Sequence, residues 1–146
     1  MAASVQSNVL DQVVALLTAT GTWKAVRTKL SPWAQDQLPA FEVLPDEGEA
    51  SYERAYSGVV KWTFRFKVRC IGAGTDGVDK VVDPLFVAGS KAILTDPTLG
   101  GLVTVTRYAS QKWERDGEGA NAPCALVVLF ECEFATSQSD PSAAMP

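Results

Sequence analysis

Four cations recur at strand spacing along one stretch of this chain. Lys61, Arg65, Lys67 and Arg69 share one parity of residues 58–71, and Val60, Trp62, Phe64, Phe66, Val68 and Cys70 occupy the other. A row of positive charge on one face of a strand attracts anions, from the phosphates of DNA to the carboxylates of a protein. Just upstream, Glu42, Asp46, Glu47, Glu49 and Glu53 supply five carboxylates with no basic residue among them. Three uses of the basic row stay open. It can be solvated or paired within the sheet, for instance with Glu131 and Glu133 if the last strand lies alongside. It can meet the acidic segment of a neighbouring subunit. It can also track DNA.

Other chemistries have less to work with. The chain contains no histidine, which removes imidazole general bases, His-dependent triads and the usual zinc sites. Cys70, Cys124 and Cys132 are an odd count without a C-x-x-C pair. They read as free thiols, with Cys70 and Cys132 at apolar strand positions, and this fits a reducing compartment. Gly72, Gly74 and Gly77 spell G-x-G-x-x-G after a strand. A dinucleotide fingerprint needs those glycines to open a helix. The best helix start is Asp83-Pro84, beyond them, so a glycine turn is expected. No spacing singles out an acid–base pair of carboxylates, so neither a reaction nor a cofactor is expected; without an EF-hand pattern no metal site is assigned, and one built only from oxygen ligands for Mg2+ or Ca2+ stays open.

The elements that must position these groups follow from periodicity and punctuation. Val5, Val9, Val13, Leu16 and Leu17 predict an amphipathic helix over 4–20, capped by Ser4 and ended by Gly21. Alternation over 22–30 predicts a short strand. Two prolines make 31–39 a loop before a strand at 40–44, and Pro45 and Gly48 make the acidic 42–53 segment a loop. Residues 58–71 form the clearest strand, half polar in the manner of an antiparallel sheet. Asp83-Pro84 starts a second helix that runs to about Thr95 and stops at Asp96-Pro97. Strands follow at 102–113 and 125–134, separated by a loop at 116–121.

The predicted architecture is an α+β domain over residues 1–135, ordered helix, three strands, helix, two strands. Its mainly antiparallel sheet of about five strands is packed by two helices, and 136–146 is a disordered tail. With 146 residues, 47% apolar and 21% charged, the chain can bury roughly 68–70% of its unfolded surface without metal or disulfide support. No window approaches the roughly 20 apolar residues of a membrane helix, and the N-terminus lacks a basic, then apolar, leader. A soluble protein made in the cytosol, without a membrane partner, is expected.

The segment Asp96-Pro97-Thr98-Leu99-Gly100-Gly101-Leu102-Val103 resembles a turn of the phage tail terminators and related minor tail, or tail-completion, proteins. The early tryptophan Trp23 and the element order over residues 4–135 also resemble that family. Within the motif, Pro97 stops the helix, Leu99 anchors the turn, and Gly100 and Gly101 permit the reversal. The resemblance implies a structural virion protein that forms a sixfold ring, caps the tail tube and offers a surface for head joining. Its implied partners are copies of itself, the tube protein and a head-completion or neck protein, with DNA passing through the lumen without specific binding. The implied location is the head-proximal end of the tail, after assembly in the host cytoplasm. A head–tail adaptor of the neck, or a small DNA-binding module using Lys61 to Arg69, are the alternatives.

Overall fold

A computed structural model describes residues 3–29, 33–52, 58–74, 77–115 and 123–145. The order is α1 (Val5–Thr18), β1 (Lys24–Arg27), a 3-10 turn (Gln35–Gln37), β2 (Ala40–Ser51), β3 (Val59–Gly72), α2 (Val78–Leu94), β4 (Val105–Arg115), β5 (Cys124–Ser137) and β6 (Asp140–Met145). One sheet runs β1-β2-β3-β5-β4, with β6 paired to β5. Every pairing is antiparallel except β1 with β2. The α+β class and the predominantly antiparallel sheet are as the sequence predicts, with a sixth strand added.

Alternation in β3 and β5 decides which face is covered. Phe64, Phe66, Val68 and Cys70 of β3 and Leu126, Val128, Phe130, Cys132 and Phe134 of β5 are buried beneath the helices. α1 delivers Val5, Val9, Leu10, Val13 and Leu17 to this core, after Ser4 Oγ accepts the Ser7 N–H at 3.1 Å as its N-cap. The Phe66 and Phe130 rings stack across the two central strands with centroids 5.5 Å apart. Trp23, just before β1, meets Phe41 edge-on at 5.8 Å. The helices converge at Gly89, where an added Cβ would lie 2.9 Å from Phe41 Cε1 and 3.1 Å from Leu17 Cδ2.

Four boundaries differ from the sequence expectation. α2 begins at Val78 and takes Pro84 into its interior, because Val78 and Val82 continue the apolar face of Leu85, Gly89 and Ile93 by two further turns. Pro84 lies on the exposed side, so the helical donor that the carbonyl of Lys80 loses is lost where the backbone is open to solvent. The expected acidic loop is strand through Ser51, with the register shift between Pro45 and Gly48 accommodating the proline. Glu53 lies outside the described residues. The strand expected at 102–113 starts at Val105 and runs to Arg115. The tail expected to be disordered instead forms β6, because β4 begins opposite Glu133 and leaves the end of β5 unpaired on that side. There Ala135 and Thr136 take up Met145 and Ala144.

Candidate functional site

The basic row and the acidic segment lie side by side on the uncovered face of the sheet. β2 pairs antiparallel with β3, setting Glu42 opposite Arg69, and β5 lies on the other flank, setting Glu131 opposite Arg65. Arg69 Nη1 donates to Glu42 Oε1 at 2.7 Å, and the Lys29 backbone N–H donates to Glu42 Oε2 at 3.0 Å. The Glu42 side chain is 5% exposed, and these two donors satisfy its two buried oxygens. Arg69 also lies 4.0 Å from Glu114. Lys67 Nζ lies 3.4 Å from Asp46, and Arg65 Nη1 lies 3.4 Å from Glu47.

Glu131 is the centre of the face. Arg65 Nε reaches its Oε2 at 3.0 Å, while Arg107 Nη2 reaches its Oε1 at 2.6 Å and Glu133 Oε1 at 2.8 Å. The three residues stand in register across β3, β5 and β4. Hydrogen bonding from Arg107, then from Arg65, holds the Glu131 carboxyl below the usual glutamate range against the opposing effect of burial. The bond to Glu131 in turn raises both guanidinium groups.

Strand pairing therefore brings Glu42, Asp46 and Glu47 to Arg69, Lys67 and Arg65. Glu49 stands on the same face of β2, opposite Thr63, and Lys61 stands opposite Ser51. Of the three uses open to the basic row, pairing within the sheet accounts for Arg65, Lys67 and Arg69. Sequence reading found Glu131 and Glu133 but missed Arg107 and Glu114, whose strand carries no charge periodicity before its bulge between Tyr108 and Ser110 is placed.

The Asp96 turn is built on one carboxylate. Asp96 Oδ1 accepts from Thr98 N at 3.0 Å and from Thr98 Oγ1 at 2.6 Å, and Oδ2 accepts from Gly100 N at 2.9 Å. These bonds, that of the Thr98 hydroxyl first, pull the Asp96 carboxyl below its ordinary range. Leu99 is buried at φ 50°, and Gly100 and Gly101 follow at 73° and 86°. Asp96 and the two glycines thus serve the backbone, and Pro97 lies exposed just past the helix end. The motif holds a turn and presents no reactive group.

The thiols and the glycine run serve packing. Burial pushes the Cys70 and Cys132 thiols up to about 12, far from a nucleophilic thiolate. The glycine run does open α2, contrary to expectation, with Gly77 at its N-cap. However, β3 is antiparallel to both neighbours, whereas the fingerprint belongs to a parallel βαβ unit. A Cβ at Gly72 would lie 2.9 Å from Val82 Cγ2, so this glycine serves helix–strand packing. Among the described residues no His, Cys, Asp or Glu cluster could hold a metal ion, and no helix is long and apolar enough to cross a membrane.

A feature that no sequence pattern announced lies on the helix side. α2 packs mainly over β3 and β5 and reaches β4 through Phe86, whose ring centroid lies 6.2 Å from that of Tyr108, leaving much of β4 exposed. Tyr108 and Trp113 are 50% and 46% exposed there. Between α2 and β4 run two adjoining hollows of about 310 and 440 Å3, lined chiefly by Phe86, Val87, Leu94, Tyr108 and Val128.

No family model and no curated protein matches the chain. Among solved structures, a chain from the virion of a native gene transfer agent particle matches with a TM-score of 0.57 and 15% identity, over 91% of this chain and 96% of that one. The chain shares its fold with that chain. At 15% identity the likeness concerns the fold, and it extends almost end to end in both molecules.

Proposed function

We propose that this chain is a structural protein of a phage-type virion and acts as a tail terminator. In this reading six copies form a ring on the finished tail tube, stop its growth and present the surface to which the head-completion or neck protein binds. The single observation carrying the reading is the fold likeness to a gene transfer agent virion component over 91% of the chain. The resemblance of Asp96 to Val103 to the terminator turn supports a position at the end of the tail.

No bond is made or broken in such a role. Termination is competitive: the ring binds the growing end of the tube more tightly than another tube subunit does, and its far side offers no equivalent surface. The physical demands are a rigid protomer and a head-to-tail interface that closes. A charge-laced sheet supported by two helices meets the first demand. Exposed strand edges on opposite flanks of the sheet are suited to the second. DNA would pass through the lumen as a non-specific neighbour.

Electron microscopy of tails assembled without this protein tests the reading. Overlong tails, or a broad distribution of tail lengths, are expected. Tails of normal length that fail to join heads would overturn termination and assign the chain to the head–tail adaptor role.

A further inference from the structure

Among the described residues, the two longest open strand edges, those of β2 beyond β1 and of β4, lie on opposite flanks of the sheet. β1 pairs with β2 only along Ala40–Val43, and among the described residues no other strand covers the remainder of that edge, out to Ser51. At the other end of the sheet, β4 pairs with β5 alone, and its outer edge runs from Val105 to Arg115. An exposed edge of this length templates pairing with another chain unless it is blocked.

The two edges differ in charge. Residues 44–51 of β2 carry Asp46, Glu47 and Glu49 and no base, whereas β4 carries Arg107, Lys112 and Arg115 against Glu114. Most of these charges have close partners within the chain, whereas Glu49 acts on Arg65 only at longer range and Lys112 forms no ion pair among the described residues. Both stand on the uncovered face, Glu49 opposite Thr63 and Lys112 opposite Val127. A lysine on an open edge repels a basic strand and admits an acidic one. Hydrophobic complementarity runs the same way. Tyr52, 57% exposed, follows the acidic edge, and the hollow of about 440 Å3 between α2 and β4 lies beside the basic one. An aromatic anchor entering an apolar hollow is the usual centre of a protein interface.

We infer that β4 of one copy of this chain pairs with the free β2 edge, Leu44–Ser51, of the next copy, continuing the sheet from subunit to subunit with Glu49 facing Lys112 and Tyr52 seated against Phe86 and Tyr108. The contact is heterologous, because each copy contributes a different edge, and such contacts close into rings or run on as filaments. This inference rests on the ring reading above and names the surfaces that would close it.

Charge exchange between two full-length variants provides the test. Glu49→Lys opposes lysine to lysine across every junction, and Lys112→Glu opposes glutamate to glutamate. Each variant alone is expected to weaken association about tenfold or more per junction, with circular dichroism and thermal midpoint close to wild type. In an equal mixture every junction between unlike subunits is either wild type or exchanged, so the assembly measured by light scattering is expected to return. Variants that assemble like wild type, or a mixture that stays dissociated, overturn this interface while leaving the ring reading in place. A wild-type chain that stays monomeric at all concentrations and on purified tail tubes overturns both.

Discussion

Glu42 shows what one buried carboxylate does on an otherwise hydrated face. Its side chain is 5% exposed and accepts from Arg69 at 2.7 Å and from the Lys29 N–H. Glu42→Ala leaves that guanidinium without its nearest counter-charge and orphans a backbone donor. Breaking one side of such a pair costs about 3 kcal/mol, the lower end of the usual range because Glu114 still lies 4.0 Å from Arg69. Chemical denaturation should report that loss, and an unchanged midpoint would show that the pair contributes nothing net. Glu131 adds a pH dependence. Its folded carboxyl titrates below the ordinary value of 4.5, so the stability it contributes is fully present above the unfolded value and is lost as pH falls from there through the folded one. Thermal midpoints measured between about pH 5 and 3 should fall less steeply for Glu131→Gln than for wild type. Parallel slopes would remove Glu131 from the acid transition.

At the scale of elements, close approach rather than charge joins the helices to the sheet. Gly89 admits Phe41 and Leu17 where α2 meets α1 and β2, and a methyl there would stand 2.9 Å from a fully buried ring. Alanine favours helix over glycine by about 1 kcal/mol, yet overpacking a tight core costs about 1–3 kcal/mol. Gly89→Ala should therefore lower the thermal midpoint, and a rise would show that the interhelix contact is looser than described. Element boundaries also expose why periodicity misplaced α2. Asp83-Pro84 has the form of a helix start, but the buried Val82 and the partly buried Val78 extend the apolar face upstream, and that burial outweighs one lost hydrogen bond on the solvent side. β6 was illegible for the converse reason. Its residues have little to bury, and only the vacant end of β5 gives them a partner.

Over the whole molecule, the mild net charge of −4 conceals −5 over residues 42–53 and +4 over residues 58–71. Read along the chain, this is a separation of charge suited to meeting a neighbour. In the folded protein the two segments are adjacent antiparallel strands, and much of the charge is spent within one subunit. What remains for assembly is smaller and more specific: the long free edges of β2 and β4, the charges of Glu49 and Lys112 outside any close ion pair, and an apolar hollow beside β4. The interface predicted from these features is argued at this scale because it needs both flanks of the sheet at once. The predicted tail-length phenotype belongs here as well, since a ring and not a residue ends the tube.

The amino-acid sequence by itself determined the α+β class, the covered and uncovered faces of β3 and β5, the thiols of Cys70 and Cys132 as core groups, and the glycine-rich reversal after α2. Each of these follows from local periodicity or from the torsional limits of single residues. Tertiary structure decided the partners of Arg65, Lys67 and Arg69, the strand character of the acidic segment, the capture of the C-terminal residues and the exposure of β4. Those depend on register and on which strand stands beside which. A register pairs residues far apart in the chain, as Arg65 with Glu131 and Arg107, and no periodicity within one strand encodes its neighbour.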